Sequence, residues 1–339
     1  MTASSSASPR PPGQAPAGRQ DCLPGRYAPW VRILAMAAFI YVVAAYLNAR
    51  VFHLLADADG QPPVWFSQAS EYLVIAVFGV WRVIAERDAY TRRRLVFLVA
   101  AVMAFWWATP AYLRLPEPYI GALPGAPLLP QLHTPGTLTF FAALLLALLF
   151  GRRVICGWNC PCVGIRETVG FAFRDRTPRS GKAWRWRHLK WPFFSLYAGV
   201  AAMILIPGVP GVSTAYRVFL GLVALPYFAS LLLSPFIGNR AYCRFLCPYG
   251  ATFGLLNRIG FFQVRLDRER CADCGQCDRV CDMGIPIREQ GRAAGKVVSI
   301  EECMGCGRCI ASCPAKALSF RDARDVLRAR TPRDAGLAR

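Results

Sequence analysis

The sequence predicts an all-α domain of about six membrane-crossing helices, followed by a small α+β domain organised by cysteine. Three observations carry this. Of 339 residues, 55% are hydrophobic and only 18% charged, and long apolar stretches recur. From about Phe261 the composition turns polar. Between Cys271 and Cys313, eight cysteines stand in two runs of identical spacing. The chain is long enough for two domains.

The two runs read CADCGQCDRVC and CMGCGRCIASCP, each C-x2-C-x2-C-x3-C. Bacterial ferredoxins use this spacing to hold [4Fe–4S] clusters, with the fourth cysteine of a run crossing to the other cluster. The swap assigns Cys271, Cys274, Cys277 and Cys313 to one cluster, and Cys281, Cys303, Cys306 and Cys309 to the second. The fourth cysteine is expected to start a short helix. Zinc sites take four ligands in two pairs rather than two runs of four, and a disulfide framework does not suit a reducing compartment. Twelve or thirteen of the 14 cysteines fall in metal-type spacings. Cys22 stands alone as a free thiol.

Residues 1–28 are rich in Ser, Ala, Pro and Gly and read as disordered. Apolar segments follow at Trp30–Ala49, Gln68–Ile84, Leu95–Tyr112, Thr137–Phe150, Pro192–Ile206 and Val218–Ile237, each read as a span. The first is too long for a signal peptide and lacks a small-residue cleavage site. Basic residues crowd alternate loops. Arg87, Arg92, Arg93 and Arg94 follow the second segment. Arg152, Arg153, Arg166, Arg174, Arg176, Arg179, Lys182, Arg185, Arg187 and Lys190 follow the fourth. By the positive-inside rule both termini are cytoplasmic, and with them the cysteine-rich domain of residues 261–320. A charged tail occupies 321–339. The formal charge of +20 is therefore a topology signal and not a nucleic-acid signal. Two clusters, each −2 with its thiolates, would bring it to about +16. In the last domain KVVSI reads as a short strand, with LSF as its partner.

An internal repeat adds a second constellation. RRVICGWNCPCVG and NRAYCRFLCPYG each place Arg, two residues, then C-x3-C-P. Cys156, Cys160, Cys243 and Cys247 are expected to meet on the cytoplasmic side, with Cys160 and Cys247 at helix N-caps ahead of proline. Four soft thiolates there could hold a third iron–sulfur cluster or copper or zinc, or pair as redox-active disulfides. Buried structural cysteines are the plainer alternative.

These residues resemble the membrane polyferredoxins of the NapH, NosR and YccM type, with the CcoG-like copper reductases as relatives. The resemblance rests on the two C-x3-C-P motifs, the phrase YCRFLCPYGATFG and the double cysteine run, over roughly residues 135–320. It implies electron transfer between the quinone pool and a respiratory reductase or maturation partner in a bacterial inner membrane. Two departures stand out. Asp282 follows Cys281 where the family has proline. Cys162 adds a cysteine to the first motif, which leaves the ligand choice among Cys156, Cys160 and Cys162 open.

Other polar and aromatic residues have plainer roles. Glu71 could accept a proton during quinol oxidation, but a solvated carboxylate is the preferred reading. His53 and His133 lie too shallow to ligate haem. Trp65, Trp106, Trp107 and Tyr112 read as an outer aromatic belt, and Trp184, Trp186 and Trp191 as an inner anchor. Gly250–Thr252 faintly matches a flavin-attachment sequence and is discounted. No G-x-G-x-x-G follows a strand, so NAD(P)H oxidation by this chain is not expected. The leading function is a membrane-anchored electron-transfer subunit with lipid, the quinone pool and a redox protein as partners. The alternatives are a copper reductase or metal-handling factor, and a cluster-based sensor.

Overall fold

The computed structural model describes residues 27–55, 62–67, 69–109, 112, 142, 145–151, 153–179, 181–205, 210–257, 263–293, 297–298 and 301–321. The N-terminal stretch with Cys22, His133, most of the fourth apolar segment and the tail from residue 322 lie outside them.

The described part is mostly helical. Helix α1 (Pro29–Leu47) has proline in its first turn, where an N–H has no helical partner in any case. It is followed by α2 (Ala69–Ala85) and α3 (Ala89–Ala101). Asp88 caps α3 by accepting from the Thr91 N–H at 2.7 Å. This cap corrects the third apolar segment: the helix begins at Ala89 rather than Leu95. Arg92–Arg94 are thus helical rather than loop residues, and Arg94 is fully buried. Beyond them come α4 (Pro161–Thr168), α5 (Gly181–Arg185), α6 (Lys190–Leu205), α7 (Val212–Leu232) and α8 (Ser234–Ile237). Helices α6 to α8 cover the fifth and sixth apolar segments to within a few residues. Short helices α9 (Ala241–Phe245) and α10 (Pro248–Leu256) complete this part. Among the described residues, one helix, Pro29–Leu47, is long and apolar enough to cross a membrane.

Phe39, Ile75, Leu98, Val102, Val163 and Ile165 form the core where α1, α2, α3 and α4 meet. Small residues let α4 lie along α2. Gly164 sits against Ile75 and Val102, and a Cβ at Gly79 would come 2.8 Å from Val99, with Thr168 next to it. The pairs Gly164–Ile75 and Gly79–Thr168 show the two helices running in the same direction.

The last domain holds an antiparallel three-stranded sheet ordered β2–β1–β3, with β1 Gln263–Leu266, β2 Val297–Val298 and β3 Leu318–Arg321. KVVSI and LSF are therefore not partners. Both pair with QVRL, Val264 standing opposite Val298 on one side and Phe320 on the other. Four residues of alternation in QVRL are too short to stand out as a strand in the sequence. Helices α11 (Gln276–Val280), α12 (Ile287–Ala293) and α13 (Arg308–Ala311) complete the domain. The fourth cysteine does not start a helix. Cys281 ends α11 as its C-cap, and Cys313 follows α13. The starts are set instead by Gly275 and Gly307, at φ +66° and +81°, a region only glycine enters without strain.

Gly307→Ala should destabilise the protein by about 1–3 kcal/mol from backbone strain, because its φ is +81° and the new Cβ would also strike the Tyr90 ring. Thermal melts of the two proteins check this.

Candidate functional site

Cys281, Cys303, Cys306 and Cys309 line one cavity, together with Met283, Ile285, Met304 and Arg308. Cys281 comes from the first cysteine run and the other three from the second. Cys281 and Cys309 are buried, Cys303 and Cys306 half-buried. The fourth cysteines of the two runs are held alike. The Ile285 N–H donates to Cys281 Sγ at 3.4 Å and the Ala317 N–H to Cys313 Sγ at 3.3 Å. Burial and neighbouring thiols push the Cys281 and Cys309 thiols up. Burial and Asp278 push Cys277 up to about 12. Thiols held this way stay protonated at neutral pH unless a cation takes the proton's place. Converging soft donors with backbone N–H groups on sulfur fit a [4Fe–4S] group. Among the described residues, no three Cys, His, Asp or Glu side chains close round a single ion. A cluster needs wider spacing, since each thiolate binds a different iron.

Cys271, Cys274, Cys277 and Cys313 are all half-buried. Cys277 lies beside Cys274, and Cys309 of the buried cavity has Cys277 in its surroundings. The two groups of cysteines therefore approach each other through Cys277 and Cys309.

The loop that carries Cys303, Cys306 and Cys309 is docked on the helical part by polar contacts. Lys190 Nζ stands 2.7 Å from Glu302 and 3.6 Å from Glu301. Asn257 Nδ2 donates to the Cys303 carbonyl at 3.0 Å, and the Tyr90 hydroxyl to the Gly305 carbonyl at 3.0 Å. Arg308 reaches Glu167 at 3.0 Å and Glu86 at 3.3 Å. From the helical side Arg174 Nε donates to Asp282 at 3.0 Å and Nη2 to the Val280 carbonyl at 2.9 Å. Glu167 also binds Arg94 at 3.0 Å and Arg240. Five arginines (Arg82, Arg94, Arg174, Arg240 and Arg308) share the three carboxylates Glu86, Glu167 and Asp282. Sequence reasoning assigns Arg94, Arg174 and Lys190 to loops and misses the dock. One signal was available: Arg166 and Glu167 interrupt the otherwise apolar stretch VGIRETVGFAF.

Burial alone would raise the Glu167 carboxyl, but Arg94, Arg240 and Arg308 outweigh it and hold it well below the usual carboxylate range.

Cys160 and Cys247 are the N-caps of α4 and α10, each with proline next, as the motif predicts. The Gly250 N–H donates to Cys247 Sγ at 3.2 Å. Cys160 is hydrogen-bonded to Cys162 and faces Cys243. Tyr242 has Cys162, Cys243 and Cys247 around it. Cys156 packs with Ala147, Ile155 and Phe253. The structure thus gathers Cys160, Cys162, Cys243 and Cys247 about Tyr242. Because α4 runs with α2 from Gly164 opposite Ile75, Cys160 comes level with the Glu71 end of α2, the end away from Arg82 and Glu86.

Glu71 is not simply solvated: it accepts a hydrogen bond from the Tyr227 hydroxyl at 2.9 Å. Trp106 is more than belt, because its Nε1 donates to the Asn159 carbonyl in the first C-x3-C-P turn at 2.9 Å. Thr252 uses its hydroxyl within its own helix, donating to the Pro248 carbonyl at 3.1 Å. His53 ends the π-helical turn Asn48–Phe52 in a left-handed conformation.

Two four-cysteine runs, one cavity built from both, and backbone N–H groups on sulfur define an iron–sulfur protein of the ferredoxin class. Comparison with known proteins is consistent with this. A 4Fe-4S dicluster domain family matches residues 263–318, and a 4Fe-4S binding domain family matches twice, over 132–180 and 219–268, once for each C-x3-C-P repeat. The putative electron transport protein YccM of Escherichia coli is 28% identical over 212 residues, covering 57% of each chain. The ferredoxin-type protein NapH of Haemophilus influenzae is 26% identical, over 56% of this chain and 70% of its own. NirI of Paracoccus denitrificans is 27% identical, over 70% of this chain but 36% of its own. No solved structure matches. The chain is similar to the polyferredoxins of the YccM and NapH type. Its match spans a little over half the length of YccM.

Glu167→Gln should cost about 3–5 kcal/mol at pH 7, the usual result of removing one partner from a buried ion-pair network. Because the folded value of Glu167 is depressed, its contribution is complete above the unfolded value of ~4.3 and fades as pH falls below that toward the folded value. Thermal melts of both proteins should therefore differ by a constant amount from pH 7 to about pH 5 and converge only in stronger acid.

Proposed function

We propose that this chain is a membrane-anchored iron–sulfur electron-transfer protein that relays electrons between the quinone pool and a redox protein partner. The observation that carries the reading is the shared cavity of Cys281, Cys303, Cys306 and Cys309, pressed against the helical part by the Glu167 ion-pair network. When bound, a [4Fe–4S] group accepts and returns one electron at a time. The residues supply the rest. Cys281, Cys303, Cys306 and Cys309 hold the cluster nearer the helices, and Cys271, Cys274, Cys277 and Cys313 hold the outer one. Cys277 beside Cys309 joins the two, and the half-buried outer group is the natural face for a soluble partner.

The cysteines around Tyr242 supply an additional redox site upstream. Helix α4 connects it to the dock. Seven residues separate Cys160 from Glu167, about 10 Å of helix at ~1.5 Å per residue. The match of both C-x3-C-P segments to a 4Fe-4S binding family supports that role.

Membrane anchoring is supported by an inverted distribution of side chains. Arg82, Arg94, Arg166, Arg240 and Arg244 are among the largest fully buried residues. Leu73, Val77, Val80 and Ile84, along one face of α2, are exposed, as are Ile33, Leu34 and Ile40 on α1 and Val218, Leu222 and Leu225 on α7. A surface of this kind fits hydrocarbon better than water. On this reading the six apolar segments span a bacterial inner membrane, with both termini and the ferredoxin domain in the cytoplasm.

Iron and sulfide analysis of the anaerobically purified protein, with EPR during titration by menaquinol, tests the reading. Iron near eight per chain is expected from two clusters, and near twelve if the upstream site is a third (four irons per cluster), with quinol reducing the signals. Iron near eight with no response to quinol would refute the quinone connection, and absence of iron would refute the whole assignment. Cys306→Ser should perturb the signal of the buried cluster and leave the other intact.

A further inference from the structure

Arg244 stands between the two cysteine sites. It follows Cys243 in the second C-x3-C-P turn, and its guanidinium lies on Gly284, three residues beyond Cys281. A Cβ at Gly284 would collide with Arg244 Nη1 and would lie 2.8 Å from its Cζ, so the glycine makes the berth. Its φ of +60° suits glycine for the same reason that those of Gly275 and Gly307 do.

The side chain is only 1% exposed, and among the described residues no carboxylate pairs with it; its guanidinium rests on the rings of Phe245 and Trp184, 4.7 and 5.8 Å from their centroids. Nη1 donates to the Pro178 carbonyl at 2.6 Å. Nε and Nη2 are buried and have no hydrogen-bond partner among the described residues. Glu302, a carboxylate in its field, is already held by Lys190 at 2.7 Å and Arg187 at 3.6 Å. Arg179 and Arg187 add further positive charge around it. The Gly284 backbone on which its guanidinium lies belongs to the turn after Cys281, and Cys281 lines the cavity of the inner site. A buried guanidinium with two idle N–H donors is costly unless an anion is present, and the anion that belongs beside Cys281 is a cluster with its thiolates.

We propose that Arg244 is a positioning residue for the [4Fe–4S] cluster held by Cys281, Cys303, Cys306 and Cys309, favouring its reduced form and so raising its potential selectively. The proposal rests on the reading of those four cysteines as ligands. One-electron reduction takes the cluster with its thiolates from −2 to −3, and a buried positive charge stabilises the extra electron. At the outer cysteines the arginine on the loop is Arg279, whose Nη2 donates to the Cys274 carbonyl at 3.2 Å. Through Arg244 the cluster nearer the helices is poised to take the electron arriving from the C-x3-C-P site.

The test is an EPR redox titration of the full chain and its Arg244→Gln and Arg244→Lys variants, reduced by dithionite through mediators. Signals are assigned with Cys274→Ser, which perturbs the outer cluster. Arg244→Gln should lower the reduction equilibrium of the inner cluster at least about tenfold, a shift of ~59 mV to more negative potential. The outer cluster should not move, and Arg244→Lys should stay close to the unsubstituted protein. Full iron with neither midpoint moved, both clusters moved equally, or a Lys midpoint as low as that of Gln would each overturn the proposal. If Arg244→Gln loses iron, the Lys variant decides: retained iron and potential support the role of charge, and lost iron overturns it. Absence of iron from the unsubstituted protein would instead refute the ligand reading beneath it.

Discussion

Glu167 accepts three guanidiniums at once, and the two parts of the chain meet through it. Arg94 comes from α3, Arg240 from the turn before the second C-x3-C-P motif, and Arg308 from between two cysteines of the ferredoxin domain. A buried ion-pair network of this kind is a weak source of net stability, because desolvation of each charge offsets most of the attraction. Its value lies in what it excludes. A slip of the ferredoxin domain by one residue would leave buried charges unmatched, so the network sets where the loop 301–309 sits.

That placement gives the helical part a direction. One end of α2 carries Glu71, Tyr227 and the cysteines about Tyr242; the other carries Arg82, Glu86 and the docked loop. Helix α4 runs between the two, close against α2 because Gly79 and Gly164 present no side chain. The positive charge that gathers at the dock exceeds its carboxylates, and the imbalance makes physical sense beside anionic clusters. In the sequence the same arginines look like loop charge with a topological role. Their burial shows a second role, inside the protein.

The parts that could be read from sequence were those fixed by local rules. Apolar length located the helices, proline placed Cys160 and Cys247 at N-caps, and the cysteine spacing marked the ferredoxin domain. What could not be read was set by partners distant in sequence. Helix α3 starts six residues early because Asp88 caps it and Arg94 finds Glu167, 73 residues away. The strands KVVSI and LSF looked like partners because they were the two visible ones, whereas QVRL, too short to show periodicity, separates them. Glu71 was read as a solvated group because its partner Tyr227 lies 156 positions on.

By itself the sequence determined the chemistry on offer: eight thiols in two identical runs, a repeated C-x3-C-P turn, and apolar segments between basic loops. These are short-range patterns, and spacing within a few residues is enough to impose them. Only the tertiary structure decided how they are joined. It brings Cys281 into one cavity with Cys303, Cys306 and Cys309, sets Cys162 beside Cys160 and Tyr242, and leaves Arg244 buried between the two sites without a carboxylate of its own. The reason is that burial and charge pairing depend on which surfaces meet, and that is a property of the packed chain rather than of any stretch within it.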